Sequence, residues 1–273
     1  MFSLHKISVS FIFVLLSLPA TAGNPYRFTG GAAEAGAGYA CAGKHDFWSS
    51  FQNEAILGVN RSFSAGVCYE NRFSLAELSA RSAALIVPAG RASLGGLFSD
   101  FGFEGLRRHT ISLACGLPLS EKISSGVGLG YFIENCPSGY NDRMLITFGA
   151  GILVSASETV SIGIHIFNPG PGAIRKQYLP MTIRAGVAFL PSPRLYTALE
   201  AEMSTGNNLV IKTGFEYGTS ERLWIRGGFR TENSSFSFGM GYRLKAMKID
   251  AGFLTHERLG ISSSVSVIFT IKQ

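Results

Sequence analysis

The sequence has few charged residues: Asp, Glu, Lys and Arg make up 15% of its 273 residues, and 46% are hydrophobic. A soluble domain normally carries about 25% charged residues, so this composition argues against one. Long apolar runs are also lacking after residue 22, because no apolar stretch there reaches the ~18 residues that a membrane-spanning helix needs. An apolar chain without such a helix is best explained by strands that close into a barrel in a lipid bilayer.

Motifs for nucleotide, metal or nucleic-acid binding are lacking as well. The stretch TGGAAEAGAGYACAGKHDFWSSFQNEAIL, from Thr29 to Leu57, is rich in glycine, but Lys44 is followed by His45 where a Walker loop needs Ser or Thr. The histidines are isolated, and the formal net charge of +6 is not gathered into a basic run. We therefore expect no cofactor, no metal and no nucleic-acid partner.

The first residues predict a secretory signal peptide. A short basic start at His5 and Lys6 precedes an apolar run over residues 7–18, and Ala20-Thr21-Ala22 provides small residues for a cleavage site. The apolar run is too short to cross a bilayer as a helix. We expect export to a bacterial outer membrane, and we divide the chain into a signal peptide over residues 1–22, a plug segment over residues 23–61 and a barrel over residues 62–273.

From residue 62 onward, apolar and polar residues alternate with a period of two, which is typical of strands. In FSFGMGY, Phe236, Phe238 and Met240 share one face, and Ser237 and Gly239 share the other. We predict fourteen such strands, among them 91–99 and 108–117, with no charged residue in mid-strand on the apolar face. The fold class is therefore all-β: a transmembrane outer-membrane barrel of about fourteen antiparallel strands, whose turns are short on the periplasmic side and mostly longer outside.

Charged and polar residues predicted to face inward could serve chemistry or structure. They are His165, Arg184, Glu200, Glu202, Lys212, Glu216, Arg226, Arg230 and Asp250. One interpretation is a catalytic or substrate-binding group of carboxylates and cations. The other, which we favour, is a network of ion pairs that satisfies the interior and holds the plug. A hydrolase acting on lipid would need a Ser–His pair on the outer wall, and no histidine is predicted there, so we expect no enzymatic activity and no catalytic residue.

The cysteines and the strand glycines indicate how the plug could be attached to the wall and accommodated inside the barrel. Exported cysteines can oxidise, and a candidate disulfide joins Cys41 of the plug to Cys68, which is predicted to face inward on the first strand. The glycines of two central strands lie on the predicted lumen face, where they would make room for the plug; they are Gly126, Gly128, Gly130, Gly149 and Gly151.

The glycine-rich segment and the later stretches HIFNPG and LWIRGGFRTENSSFSFGMGYRLKAMKIDAGF resemble the PorV/PorQ-type family of Bacteroidetes, within the FadL-related outer-membrane barrels. The plug signature of that family is matched by Gly31, Gly36, Gly38, Asp46, Asn53, Ala55 and Leu57. The chain departs from it at Ala33, His45, Glu54 and Ile56. The resemblance implies a plugged barrel embedded in outer-membrane lipids.

Two functions follow from this resemblance. The first is an accessory or interaction component of protein secretion of the type IX kind, with secretion machinery as the partner. The alternative is FadL-like passive transport of small hydrophobic molecules, for which outer loops would supply an apolar site; its candidate residues are Phe101, Phe103, Leu106, Phe132 and Tyr140. The oligomeric state stays open.

Overall fold

The computed structural model describes residues 30–136, 142–169 and 179–271, in which fourteen antiparallel strands close into a barrel. Each strand pairs with the next along the chain, and β1 closes the barrel by pairing with β14. The strands are β1 Phe63–Asn71, β2 Ser79–Ala89, β3 Ala92–Phe103, β4 Leu106–Pro118, β5 Ile123–Asn135, β6 Arg143–Ser155, β7 Val160–Phe167, β8 Thr182–Ser192, β9 Leu195–Ser204, β10 Val210–Gly218, β11 Leu223–Arg230, β12 Ser235–Leu244, β13 Met247–His256 and β14 Gly260–Ile271. The fold class predicted from the sequence is confirmed.

The two faces of each strand lie in different environments. On β12, Phe238 and Met240 are 51% and 57% exposed on the outer surface, whereas Ser237 on the inner face is only 6% exposed. Nearly every other strand repeats this arrangement, with Val, Leu, Ile or Phe outward and small or polar residues inward. An apolar outer surface of this kind matches lipid acyl chains. In the described part of the chain, no helix has the length and apolar character needed to cross a membrane.

The two ends of the barrel differ in their links. We call the end at which β1 begins and β14 ends the terminal end, and the opposite one the loop end. Links at the terminal end are tight turns, such as residues 90–91 and 245–246. At the loop end, the link between β7 and β8 covers residues 168–181.

One predicted outer loop is wrong. We expected residues 100–107 to connect two strands, but β3 and β4 continue to Phe103 and Leu106, and only residues 104–105 lie between them. The hairpin is extended by charge pairing across its rungs, because Asp100 accepts hydrogen bonds from Arg107 at 2.8 Å and lies 3.2 Å from His109. A cross-strand pair of opposite charges stabilises a ladder in this way.

Residues 30–61 precede β1 and run through the barrel interior. They contain a short helix, α1, at Ala32–Gly36 and two 3₁₀ turns at Trp48–Phe51 and Glu54–Gly58. Asn53 caps the start of the second turn, and its side chain accepts a hydrogen bond from the amide of Ala55 at 3.1 Å. Between residues 30 and 58, all residues are buried except His45 and Asp46.

Inward glycines let the wall approach this segment closely. A β carbon at Gly239 would lie 3.0 Å from the α carbon of Gly36, and one at Gly128 would lie 2.6 Å from a carboxylate oxygen of Glu54. Gly130 differs from the prediction, because its neighbours are Thr147 and Phe132 of the wall. Other glycines that face residues 30–58 are Gly66, Gly95, Gly116, Gly126, Gly149, Gly151, Gly163, Gly186, Gly214, Gly228 and Gly252.

Candidate functional site

The candidate site is the contact between the plug segment and the inner wall. On β8, β9 and β10, neighbouring strands bring four of the predicted charges together. Lys212 lies 2.7 Å from both Glu200 and Glu202, and Arg184 lies 2.7 Å from Glu202. All four are at most 6% exposed. Each charge therefore has a partner of opposite sign, as a buried ion needs.

This cluster also binds the plug backbone. One carboxylate oxygen of Glu200 accepts hydrogen bonds from the amides of Cys41 and Ala42, at 2.9 and 2.7 Å. Arg184 donates to the carbonyl of Gln52 at 3.3 Å. Charged wall residues therefore satisfy plug groups that have no partner within a regular helix.

A second cluster joins the plug to β10, β11 and β13. Arg226 lies 2.5 Å from Glu216 and 2.9 Å from Asp250. From the plug, Lys44 lies 3.6 Å from Glu216. Lys248 lies 3.3 Å from Asp46 of the plug and 3.7 Å from Asp250.

The sequence analysis did not include Lys44 or Lys248 among the charges of the interior network. The inward position of Lys248 could have been found, because it precedes Asp250 by two residues and so shares its face of β13. We call these two clusters together, with the plug residues they bind, the ionic seam.

Charge within the plug is set by burial and by these partners. Burial disfavours the ionised form of Asp46, but Lys248 and Lys44 outweigh it and hold the pKa of this carboxyl well below its usual range. Glu34 lies deeper, and burial raises its pKa to about 7. Asp46 is therefore a stable anion, and Glu34 changes charge near neutral pH.

The remaining predicted charges lie apart from these clusters. His165 on β7 faces Glu54 of the plug, with 2.9 Å between the imidazole nitrogen and the carboxylate oxygen. Glu54 is one of the positions at which the chain departs from the plug signature, and this contact gives it a partner in the wall. Arg230 pairs with Glu232 at the loop end and lies 5.8 Å from the ring centre of Tyr39.

On the other side of the barrel, the plug contact is apolar. Phe47, Trp48, Phe51 and Leu57 of the plug are buried together. The two aromatic rings of Phe47 and Trp48 meet edge to face at 5.1 Å. Their wall partners come from β14 and β1–β4 and are Cys68, Ala84, Ile86, Leu97, Ala114 and Ile268. We call this contact the apolar seam.

The residues of the plug signature have separate structural tasks. Gly31 lies against Trp48 and Gly36 against Gly239, where a side chain would not fit. Gly38 has a φ of +68°, which favours glycine. The carbonyl of Ala55 accepts a hydrogen bond from Ser124 at 2.8 Å. The other signature positions act as described above: Asp46 in the ionic seam, Asn53 as a cap and Leu57 in the apolar seam.

The candidate disulfide is not present, since Cys41 and Cys68 are both free and buried. Cys41 lies against Glu200 on β9, whereas Cys68 belongs to β1. Strands β1 and β9 are separated by at least five other strands around the barrel, so the two thiols lie on different sides of the plug. The prediction rested on closeness in sequence, which does not follow the path of the plug across the lumen.

The candidate ligand residues do not form one loop cluster. Phe103 is exposed at the tip of the hairpin, next to Leu106, and Phe101 lies beneath Arg72, whose guanidinium is 4.8 Å from the ring centre. Phe132 instead faces inward on β5. It packs edge to face on Phe167 at 6.3 Å, with Leu145 and Leu179 around them. Tyr140 lies outside the described residues.

Solved structures of similar fold include proteins described as a hydrocarbon channel and a toluene transporter. The CymD monoaromatic hydrocarbon channel matches with a TM-score of 0.67 and 13% identity, over 90% of this chain and 100% of that one. The toluene transporter TbuX of Ralstonia pickettii matches with a TM-score of 0.63 and 12% identity, over 88% of this chain and 97% of that one. A FadL homologue of Pseudomonas aeruginosa matches with a TM-score of 0.63 and 13% identity, over 91% of this chain and 98% of that one. The chain has the FadL-type fold.

At these identities the likeness establishes the FadL-type fold alone. No protein-family model and no curated protein matches the sequence. These structures are described as a hydrocarbon channel, a toluene transporter and a FadL homologue, and the PorV/PorQ resemblance gains no support from them. Within the described residues, no group of three or more His, Cys, Asp or Glu is placed to hold a metal ion.

Proposed function

We propose that this protein is a passive channel for small hydrophobic molecules in a bacterial outer membrane. The observation that carries the proposal is the division of the plug contact into an ionic seam and an apolar seam. An apolar molecule can replace apolar contacts with contacts of the same kind. It cannot replace an ion pair, and breaking a buried pair costs about 3–5 kcal/mol.

The two seams assign different tasks to the two sides of the plug. The ionic seam holds the plug to β8–β13 at all times. The apolar seam, against β14 and β1–β4, is the side on which the plug parts from the wall and the molecule passes. Small wall residues such as Ala84 and Ala114 leave room there once the rings of Phe47 and Phe51 shift.

The named structural relatives support this choice over a role in secretion. CymD is described as a monoaromatic hydrocarbon channel and TbuX as a toluene transporter. Their names describe those proteins, and the shared fold makes hydrocarbons the first ligands to test here. A buried apolar group at the loop end, Phe132 with Phe167, is consistent with an apolar entrance.

Uptake into vesicles tests the proposal. Purified protein reconstituted in lipid vesicles should accelerate the entry of toluene at limiting concentration, and should not accelerate the entry of a sugar of similar size. A deletion strain should take up toluene more slowly and should secrete its normal set of proteins. Loss of secreted proteins with unchanged toluene uptake would favour the secretion role and would contradict the channel.

A further inference from the structure

Two adjoining cavities open at the terminal end, below the plug. Their volumes are about 440 and 610 Å³, and His45, Asp46, Arg243 and Lys248 line both. The shared residues make them two parts of one bowl, which we call the terminal vestibule. Each of the two parts is in the size range of small-molecule sites, roughly 300–1,000 Å³.

The terminal vestibule has an excess of unpaired positive charge. Among the described residues, no carboxylate pairs with four of its cations, which are Arg61, Arg194, Arg243 and Lys245. Its acids are mostly engaged, since Asp46 and Glu216 contact Lys44, Lys248 and Arg226, and only Glu158 lacks a partner among the described residues. A concave wall of one sign concentrates ions of the opposite sign.

A buried ammonium lies in the inner wall of the vestibule. Lys44 is 6% exposed, and its Nζ makes no hydrogen bond within the described residues. The carboxylates of Asp46 and Glu216 lie 3.3 and 3.6 Å away, which provides charge balance without satisfying its donors. An ammonium has three donors, but Nζ is shielded from the cavity, so Lys44 donates to an anion there only after its side chain turns toward the cavity.

Aromatic rings stand beside these cations. The guanidinium of Arg243 lies 4.7 Å from the ring centre of Trp224, and Nζ of Lys44 lies 5.4 Å from that of Tyr196. Leu190 and Val160 line the same cavity. The wall therefore offers flat apolar surface and positive charge side by side.

We propose that the terminal vestibule binds an aromatic carboxylate. Its carboxylate accepts hydrogen bonds from Arg243 and, once the Lys44 side chain turns toward the cavity, from Lys44, and its ring lies against Trp224 and Tyr196. A neutral hydrocarbon makes no charge-assisted hydrogen bond with the cations, so the vestibule favours acidic compounds within the range of the channel. This inference names a ligand class for the proposed function, and its physiological role rests on that function.

Equilibrium binding of radiolabelled benzoate to the purified full-length protein in detergent tests the site. Benzoate should bind saturably with one site per chain, and benzyl alcohol, which has the same ring without the charge, should not compete. R243Q should weaken benzoate binding at least tenfold, as expected for the loss of one charge-assisted hydrogen bond. R222Q removes a cation from a neighbouring turn outside the vestibule and should bind benzoate as the parent protein does.

Three results would overturn the inference: equal competition by benzyl alcohol, equal competition by inorganic phosphate, or equal weakening by R222Q and R243Q. The first would show recognition of the ring without the charge, the second recognition of charge without the ring, and the third a general effect of net charge. Vesicle uptake separates this inference from the channel itself. Benzoate binding without uptake of any aromatic compound would support the binding site and contradict the channel. Toluene uptake without benzoate binding would support the channel and contradict the binding site.

Discussion

At the residue scale, Glu34 is a buried plug carboxylate whose charge depends on its surroundings. It is 1% exposed, one oxygen accepts a hydrogen bond from Ser49 at 3.0 Å, and the other has no hydrogen-bond partner within the described residues. Because burial raises its pKa from 4.5 to about 7, the folded protein binds this proton more tightly than the unfolded chain does. The contribution of Glu34 to stability is therefore full below pH 4.5 and is lost as the pH rises through 7.

Replacing Glu34 with Gln should remove this dependence. Between pH 5 and pH 8 the free energy of unfolding of the parent protein should fall by roughly 2–3 kcal/mol through Glu34, at 1.36 kcal/mol per pKa unit, and that of E34Q should fall much less. The measurement is the free energy of unfolding in urea at both pH values. Glu77 is exposed, so E77Q should follow the parent; a parent-like slope for E34Q would contradict the account.

Gly163 and Gly96 offer a matched test of close packing. A β carbon at Gly163 would overlap the backbone carbonyl of Ala42 in the plug, while one at the outward-facing Gly96 would meet nothing within 4 Å. Valine favours strands, so a loss in G163V beyond that in G96V is attributed to the clash with the plug. We expect G163V to lose at least ~1–3 kcal/mol, as overpacking does, and to expose the bond after Lys44 to trypsin.

The matched variant G96V should keep both the stability and the trypsin resistance of the parent. Equal behaviour of G163V and G96V would show that residues 30–58 do not lie against β7 as described.

The side that each wall residue faces could be predicted from the sequence, but its partner could not. Alternation assigns Glu200, Arg226 and Asp250 to the inner face because successive side chains on a strand point to opposite sides. The plug has no such period, so nothing in the sequence showed that Asp46 meets Lys248 or that Cys41 lies near β9. Those contacts depend on the path of an irregular chain through the lumen.

At the scale of elements, the plug is held differently on its two sides, and the ionic side can be weakened alone. Replacing Lys248 with Met removes a contact of Asp46 and one of Asp250. Breaking a buried pair costs up to about 3–5 kcal/mol, and the partial exposure of Lys248 and Asp46 places the expected loss below that range. Trypsin should cut after Lys44 faster in K248M than in the parent.

Lys122 provides the control for this experiment. It lies in the turn between β4 and β5, and its side chain makes no ion pair within the described residues. K122M should leave trypsin resistance unchanged. If K248M and K122M were cut at the same rate, the ionic seam would not hold the plug.

The strands were predicted well, and the exception has a local cause. The β3–β4 hairpin extends beyond its predicted ends because Asp100, Arg107 and His109 form a charged rung that interrupts the apolar alternation without ending the ladder. Patterns of apolar residues therefore mark the part of a strand in lipid, and charged rungs continue it beyond the membrane.

At the scale of the whole molecule, the fold persists at 13% identity with channels such as CymD. A barrel in lipid constrains what kind of residue stands at each position: apolar outward, and small or polar inward. Many sequences meet that requirement, so the period of two predicted the fold while giving no information on the ligand. The functional proposal comes instead from the unequal seams of the plug.

Cysteine cross-links that lock one seam at a time test this proposal most directly, in a background without the four native cysteines. Next to the apolar seam, a β carbon at Gly58 would lie 2.9 Å from the β carbon of Ser124. In the ionic seam, a β carbon at Gly43 would lie 3.4 Å from the β carbon of Ala188. Both separations are shorter than the ~3.5–4.5 Å between the β carbons of a disulfide, so the plug backbone must move outward slightly for each bond to close. Oxidised G58C/S124C should reduce toluene uptake into vesicles to the protein-free rate and recover on reduction, whereas oxidised G43C/A188C should keep parent uptake. Full uptake with the G58C/S124C bond closed would contradict passage along the apolar seam.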